Sequence, residues 1–280
     1  MQPIEPYSGK LAKFYRQPKV YIALPSGGIG YPKGTIDGDP ANLPVFGMNA
    51  MDELMYKNPD ALFSGEATVS VIQSCIPAIK DPWKISQLDI DAVLIGIRIA
   101  TYGESLDMTY KCEGCKEEQA RSFNLLTAIE YFNSLSYNST VEIEPLTFHM
   151  RPLTYKEATD LQIQAYRLQK TLEAQAGSLA EEDQMKKIDE FYRTFARLQS
   201  ENLVKQISSV EADGDVVTSQ QEIVDFIKNS ERIYYDGLTK HIEEVKKSWR
   251  IPPQPVQCES CEHKQTVTVS LDASIFFVNK

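Results

Sequence analysis

Cys112-Glu-Gly-Cys115 and Cys258-Glu-Ser-Cys261 are the two stretches of this sequence whose residue types and spacing suit a defined chemistry. Each has an alternating approach segment, two thiols three positions apart, a small residue just before the second thiol, a polar turn and a return segment. That spacing lets backbone amides of a tight turn donate to thiolate sulfurs, and two such knuckles supply the four sulfurs of a tetrahedral zinc shell. About 140 residues lie between the pairs, against roughly 15 to 20 in the compact motif. Loop-closure cost grows only logarithmically, so the separation is tolerable once the intervening elements bring the ends together. The expectation is one structural Zn2+ ion held by Cys112, Cys115, Cys258 and Cys261. A redox Cys-x-x-Cys pair is the weaker reading, because no thioredoxin-like pattern surrounds either pair. Catalytic zinc needs an open ligand position, and four cysteines close the shell; His263, two residues after Cys261, could only substitute in a set already complete. Cys75 has no second cysteine or histidine near it in sequence and reads as a small buried hydrophobe.

The chain that must position these residues has 280 of them, 42% hydrophobic and 24% charged, within the ordinary range of folded globular proteins. Lys and Arg number 29 against 39 Asp and Glu, a formal net charge of −10, and there is no long basic run. Phosphate backbones would repel such a surface, so nucleic acid is not an expected partner, and protein partners are. The N-terminus has no charged region followed by an apolar stretch, so no secretory signal is expected. The most apolar window, Ala92 to Ala100, carries Arg98 and is far shorter than the roughly 20 residues of a membrane span, so no membrane partner is expected. Synthesis in a reducing cytoplasm favours metal over disulfide for the paired cysteines.

Residues 1–46, rich in Pro and Gly, read as an extended arm with little regular structure. Gly27, Gly28 and Gly30 lack the Lys-Ser/Thr of a phosphate-binding loop, so they read as turns. Met48, Met51, Leu54 and Met55 recur at helical spacing, and the methionines read as core filling. A short helix is expected from Gly65 to Cys75. Ser86-Gln-Leu-Asp89 suggests a capping box for a helix through Ile90 to Thr101, apolar nearly all round and therefore buried. Strands are expected at 105–110 and 119–123 around the first knuckle, a helix at 125–132 and a hairpin at 141–150 broken by Pro145. Thr154-Tyr-Lys-Glu157 opens a helical hairpin over 155–175 and 180–208, meeting at Ala176-Gly-Ser178. Asp213-Gly-Asp215 marks a small β-turn. Helices follow at 219–228 and 231–249, Ile251-Pro-Pro-Gln-Pro255 breaks the second, and the chain ends in a strand over 266–271 behind the second knuckle.

The result is an α+β protein, mainly helical, with a split four-cysteine zinc-ribbon-like β element and a large helical insertion between its two knuckles. Its parts are the arm (1–46), a helical and β core with the first knuckle (47–153), the helical insertion (154–250), and the second knuckle with a C-terminal strand (251–280). Nothing assembles into a catalyst. Of the histidines His149, His241 and His263, none lies in a triad or a metal-ligand spacing, and His241 beside Glu243 and Glu244 reads as a solvated helix face. Asp89 and Asp91 fit a helix N-terminus better than an acid–base pair.

Leu24-Pro-Ser26, Met51-Asp-Glu53, Leu62-Phe-Ser-Gly-Glu66, Leu94-Ile-Gly-Ile-Arg98, Tyr102-Gly103 and Cys112-Glu-Gly-Cys115, in this order and spacing, resemble the baseplate hub subunit family of T4-type contractile-tailed bacteriophages. The second knuckle agrees. The resemblance implies a non-enzymatic viral protein, made in the host cytoplasm, that helps build the hub of the tail baseplate and locates to the virion. Its implied partners are other baseplate, hub or tail proteins, and self-association is left open. On physical grounds, an extended arm over 1–46 that orders on binding and the exposed hairpin 154–209 are expected to make those contacts. The alternative function is a transient assembly chaperone, absent from the mature particle.

Overall fold

The computed structural model describes residues 10–11, 14–176 and 181–269. Strand β1 (Pro18–Ile22) pairs antiparallel with β2 (Leu43–Phe46). Helices α1 (Ala50–Tyr56), α2 (Pro59–Phe63) and α3 (Glu66–Cys75) follow, then two short 3-10 turns and α4 (Ile90–Tyr102). Strands β3 (Ser105–Lys111) and β4 (Glu118–Asn124) form a ribbon, and α5 (Leu125–Asn133) leads to β5 (Thr140–Ile143) and β6 (Leu146–Met150). Helices α6 (Tyr155–Ala176) and α7 (Glu181–Lys205) make the helical hairpin; β7 (Ile207–Ala212), β8 (Asp215–Val217), α8 (Gln220–Asn229) and α9 (Arg232–Ser248) come next. A last ribbon, β9 (Gln254–Gln257) with β10 (Lys264–Val267), closes the described chain. The junction at Gly177-Ser178 and Leu271 of the expected final strand lie outside the described residues.

The first core is built around α4, whose residues from Ala92 to Ala100 are all buried, as a helix apolar on every side requires. Strands β1 and β2 cross it with Ile22, Leu43 and Val45 buried. A Cβ built on Gly96 would sit 2.8 Å from Cγ2 of Ile22, so the absence of a side chain there is what lets the strand approach the helix. Residues 18–46 are therefore not an extended arm. Ser26 and Tyr31 fasten the turn-rich stretch between the strands to the start of α4: the Ser26 N–H (2.7 Å) and hydroxyl (2.5 Å) and the Tyr31 hydroxyl all donate to the Asp89 carboxylate. Asp89 is thus the buried anchor of the N-terminal segment and not the partner of Ser86 in a capping box; the Ser86 hydroxyl instead accepts from the Leu88 N–H.

Helix α1 starts from a reciprocal capping box between Asn49 and Asp52. Met48, just before the helix, packs against the α4 core as expected, but Met51 is 68% exposed and does not fill it, and Leu54 on the same side is 58% exposed. The buried side of α1 carries Asp52, which accepts from the Ser74 hydroxyl at 2.9 Å and pairs with Arg16 at 3.4 Å, and Tyr56. Cys75 is fully buried beside Asp52, and burial pushes its thiol up to about 12.

The second core lies between a four-stranded antiparallel sheet, ordered β5-β6-β7-β8, and helices α8 and α9, with Phe148, Val210, Ile223 and Leu238 at its centre. The sheet crosses the boundary expected at residue 153, since Met150 pairs with Ile207 and Phe148 with Val210. The stretch between the knuckles therefore carries a sheet as well as helices. The helical hairpin leaves at the end of β6 and returns at the start of β7, and Leu203 and Val204 at the base of α7 join the same core. At its start the Thr154–Glu157 capping box forms, with Glu157 also held by both Arg151 guanidinium nitrogens at 2.8 Å.

G96A tests the α4 crossing. The added methyl has to displace the β-branched Ile22, so the variant should lose about 1–3 kcal/mol, typical of overpacking, despite the better helix propensity of alanine. Equilibrium urea unfolding checks this, and an unchanged midpoint would refute the close crossing.

Candidate metal centre

Both knuckles are six-residue loops closing two-stranded ribbons. Lys111 pairs with Glu118 around residues 112–117, and Gln257 pairs with Lys264 around 258–263. Their internal bonding is the same. The Cys112 N–H donates to the Glu117 carbonyl and the Lys116 N–H to the Cys112 carbonyl, both at 2.9 Å; the Cys258 N–H donates to the His263 carbonyl at 2.9 Å and the Glu262 N–H to the Cys258 carbonyl at 3.0 Å. Lys116 (φ 65°) and Glu262 (φ 58°), one residue past the second cysteine of each loop, are both left-handed. That conformation costs a non-glycine residue about 1 kcal/mol or more and survives where its surroundings over-determine it.

The loops meet face to face. The Sγ atoms of Cys112, Cys115, Cys258 and Cys261 all lie within 4.8 Å of one another. Cys112 Sγ is 3.6 Å from Cys261 Sγ, and Cys115 Sγ is 3.6 Å from Cys258 Sγ. A tetrahedral ion with metal–sulfur bonds of about 2.3 Å sets its sulfurs about 3.8 Å apart, whereas a disulfide needs about 2.05 Å. The donor set therefore fits one tetrahedral thiophilic ion.

Electrostatics point the same way. The Cys115 N–H, helped by that of Gly114 and opposed by burial, draws the Cys112 thiol down to about 6. At Cys115 the Glu117 N–H favours the thiolate, but burial and the neighbouring sulfurs outweigh it and push that thiol up to about 12. The His263 N–H does for Cys261 what the Glu117 N–H does for Cys115. Amides aimed at sulfur favour thiolates, while four crowded sulfurs cannot all ionise unless a cation shares their charge.

The second ribbon is tied down at both ends. The Tyr131 hydroxyl donates to the Ser248 carbonyl at 2.6 Å, bringing the end of α9 to α5. Trp249, Ile251 and Val269 are buried, the last two in the α4 core, so the chain on both sides of the second ribbon is anchored. His263 is outside the sulfur cluster, and its ring root packs on Gly114, where a built Cβ would stand 3.1 Å from His263 Cβ and 3.4 Å from Cys261 Sγ. His149 pairs with Glu211 on the sheet, and His241 faces a small cleft with Tyr137 and Gln206 and is half-buried. Asp89 is committed to its three donors, and Asp91, pushed up to about 6 by burial against the pull of Arg250, has no part in the cluster.

Two residues at the cluster escape a cysteine-centred reading. Gln119 and Gln265 each lie four positions after the second cysteine of a pair, so the repeat is Cys-Glu-x-Cys-x-x-x-Gln in both places. Their side chains bridge the two knuckles. The shared glutamine was a signal available in the sequence.

A protein built from two cysteine knuckles on separate ribbons around a helical core is matched by one family model. The family described as T4 bacteriophage base plate protein matches residues 46–278. The match spans most of the chain, and the chain belongs to that family. No curated protein and no solved structure matches it. The matched region begins at residue 46, after β1 and the Asp89-bound turn.

G114A should push His263 off the opposing knuckle and loosen the cluster, raising the rate at which the four thiols react with a disulfide reagent several-fold. G114A/H263A, which removes the obstructing ring, should return the rate toward that of the wild type. Failure of the double variant to recover would dissociate this contact from the integrity of the cluster.

Proposed function

We propose that this chain is a non-enzymatic component of the phage tail baseplate, acting in hub and tail assembly through protein–protein contacts. One structural Zn2+ held by Cys112, Cys115, Cys258 and Cys261 fixes its two ribbons. The convergence of four cysteine sulfurs from ribbons far apart in sequence, within a chain of the T4 base plate family, carries this reading. Four sulfurs fill a tetrahedral shell and leave no position for substrate, so the ion's role is to stabilise.

The contacts with other baseplate, hub or tail proteins are assigned to the helical hairpin. On α7, Met185, Ile188, Tyr192 and Phe195 are all exposed and recur at intervals of three, four and three residues, the spacing of a seam that receives another helix. The Phe191 and Phe195 rings stack beside it with centroids 6.0 Å apart. Within the N-terminal segment, Ile22, Leu24, Leu43 and Val45 are core residues and are not available for such contacts, whereas Tyr21 and Ile29 are exposed. Among the described residues no helix is long and apolar enough to cross a membrane. Assembly takes place in the host cytoplasm and the product is carried in the virion.

Quantitative mass spectrometry of purified particles beside the infected-cell lysate tests the assignment. A fixed copy number per particle is expected. Abundance in the lysate with absence from particles would replace the structural role by that of a transient assembly chaperone. Chelation tests the ion: EDTA should release the C-terminal ribbon first, seen as proteolytic cleavage near residues 252–269 before any loss of the α4 core. Identical digestion with and without EDTA would refute structural zinc.

A further inference from the structure

Gln265 is on β10 of the second ribbon, and its carboxamide oxygen accepts the N–H of Glu113 in the first knuckle at 2.8 Å. Its amide nitrogen donates to the Lys111 carbonyl at 3.2 Å. Gln119, on β4 of the first ribbon, does the reverse: its oxygen accepts the N–H of Glu259 in the second knuckle at 3.3 Å, and its nitrogen donates to the Ser260 hydroxyl at 3.3 Å. Glu113 and Glu259 hold equivalent places, each directly after the first cysteine of its pair. Both glutamines are half-buried on strands whose neighbouring residues are mostly exposed. The exchange therefore has approximate two-fold symmetry, with each ribbon sending one side chain into the other's turn.

The geometry points to Gln119 and Gln265 as the positioning residues that clasp the two knuckles together and hold their four sulfurs in register. The zinc-related part of this inference rests on the metal reading above; the clasp itself does not. A carboxamide suits the task for two reasons. It can accept from a backbone N–H and donate to a carbonyl or hydroxyl with one planar group, which neither a carboxylate nor an ammonium can do. It is also neutral. Four thiolates around a dication leave a net charge of about −2, and Glu113, Glu117, Glu118, Glu259 and Glu262 crowd the same turns, so a further carboxylate would add repulsion where the ribbons must meet.

The clasp makes a crossed prediction that general destabilisation does not. In the full 15N-labelled chain, the amides of Glu113 and Glu259 are expected to be protected from hydrogen exchange. Q265A should speed exchange at Glu113, in the opposite ribbon, about tenfold, and leave Glu259 within about twofold; Q119A should do the reverse. Amides of β6 and β7 serve as the folding control. Q265E keeps an acceptor for the Glu113 N–H, so protection at Glu113 should largely return. Zinc content is measured on the same samples, and each alanine variant should still bind one ion while releasing it to a chelator about tenfold faster.

Exchange at Glu113 and Glu259 that is indifferent to the facing glutamine, or that responds only to the glutamine of the same ribbon, overturns the clasp even if zinc is bound at one per chain. The crossed pattern in a chain that binds no zinc establishes the clasp and refutes the metal reading instead.

Discussion

An isolated two-stranded ribbon is at best marginally stable in water, because it has too little apolar surface to offset the entropy of ordering its backbone. Among the described residues there are three, and the two that hold the cysteines, β3-β4 and β9-β10, each make their sheet hydrogen bonds only within themselves. Their apposition, with four sulfurs between and a glutamine passing each way, is the constraint on which the rest of the architecture depends. It requires the end of α9 to come back to α5, which the Tyr131–Ser248 hydrogen bond and the burial of Trp249 and Ile251 bring about. A metal bound at the junction, as proposed above, would supply binding free energy that the small ribbons cannot raise by packing, while the core supplies the alignment that brings remote cysteines together.

The α4 core is the fixed reference for that alignment. Its helix is buried on every side, so it needs cover from several directions, and β1-β2, α3 and α5 each provide part. β3 begins three residues after the end of α4, and α5 begins where β4 stops, so the first ribbon is set by the helix that precedes it and the one that follows. The N-terminal strands belong to the same core although β1 and all of β2 but its last residue lie before the family-matched region. Asp89 makes this attachment specific: a carboxylate fully withdrawn from water is tolerable only when its oxygens are satisfied, and two of its three donors come from Ser26 and the third from Tyr31. Residues 18–46 are thus committed to one place by a buried polar contact as well as by apolar burial.

Elements set by short-range signals were legible in the sequence. The Cys-x-x-Cys pairs with flanking alternation, the Thr154–Glu157 box, the hairpin interrupted at Pro145, the Asp213-Gly214 turn and the proline break after Trp249 lie in the structure at the places their local chemistry dictates. What was not legible depends on partners far away in sequence. Periodicity in Met51 and Leu54 shows that one face of α1 is apolar but not whether anything covers it. Two strands separated by a glycine-rich stretch of twenty residues have no local mark of pairing. β6 and β7, separated by the whole helical hairpin, have none either. The glutamines were hidden for a different reason. Their repetition is visible, but a solvated strand residue and one that reaches into a neighbouring turn look identical until the ribbons are brought together.

The same topology explains how the helical hairpin can project while the rest stays compact. α6 starts five residues after Met150 and α7 ends two residues before Ile207, and those two residues are paired in the sheet. The Arg151 N–H to Gln206 carbonyl bond, at 2.7 Å, closes the base. Closure is therefore secured by the β6-β7 pairing and by Leu203 and Val204, and the portion of α7 from Met185 to Phe195 has no duty to the core. A segment released from that duty has no folding reason to keep a seam of Met, Ile, Tyr and Phe in water, where exposed apolar area is a liability. Retaining that seam makes physical sense where another helix covers it, as the proposed assembly contact would.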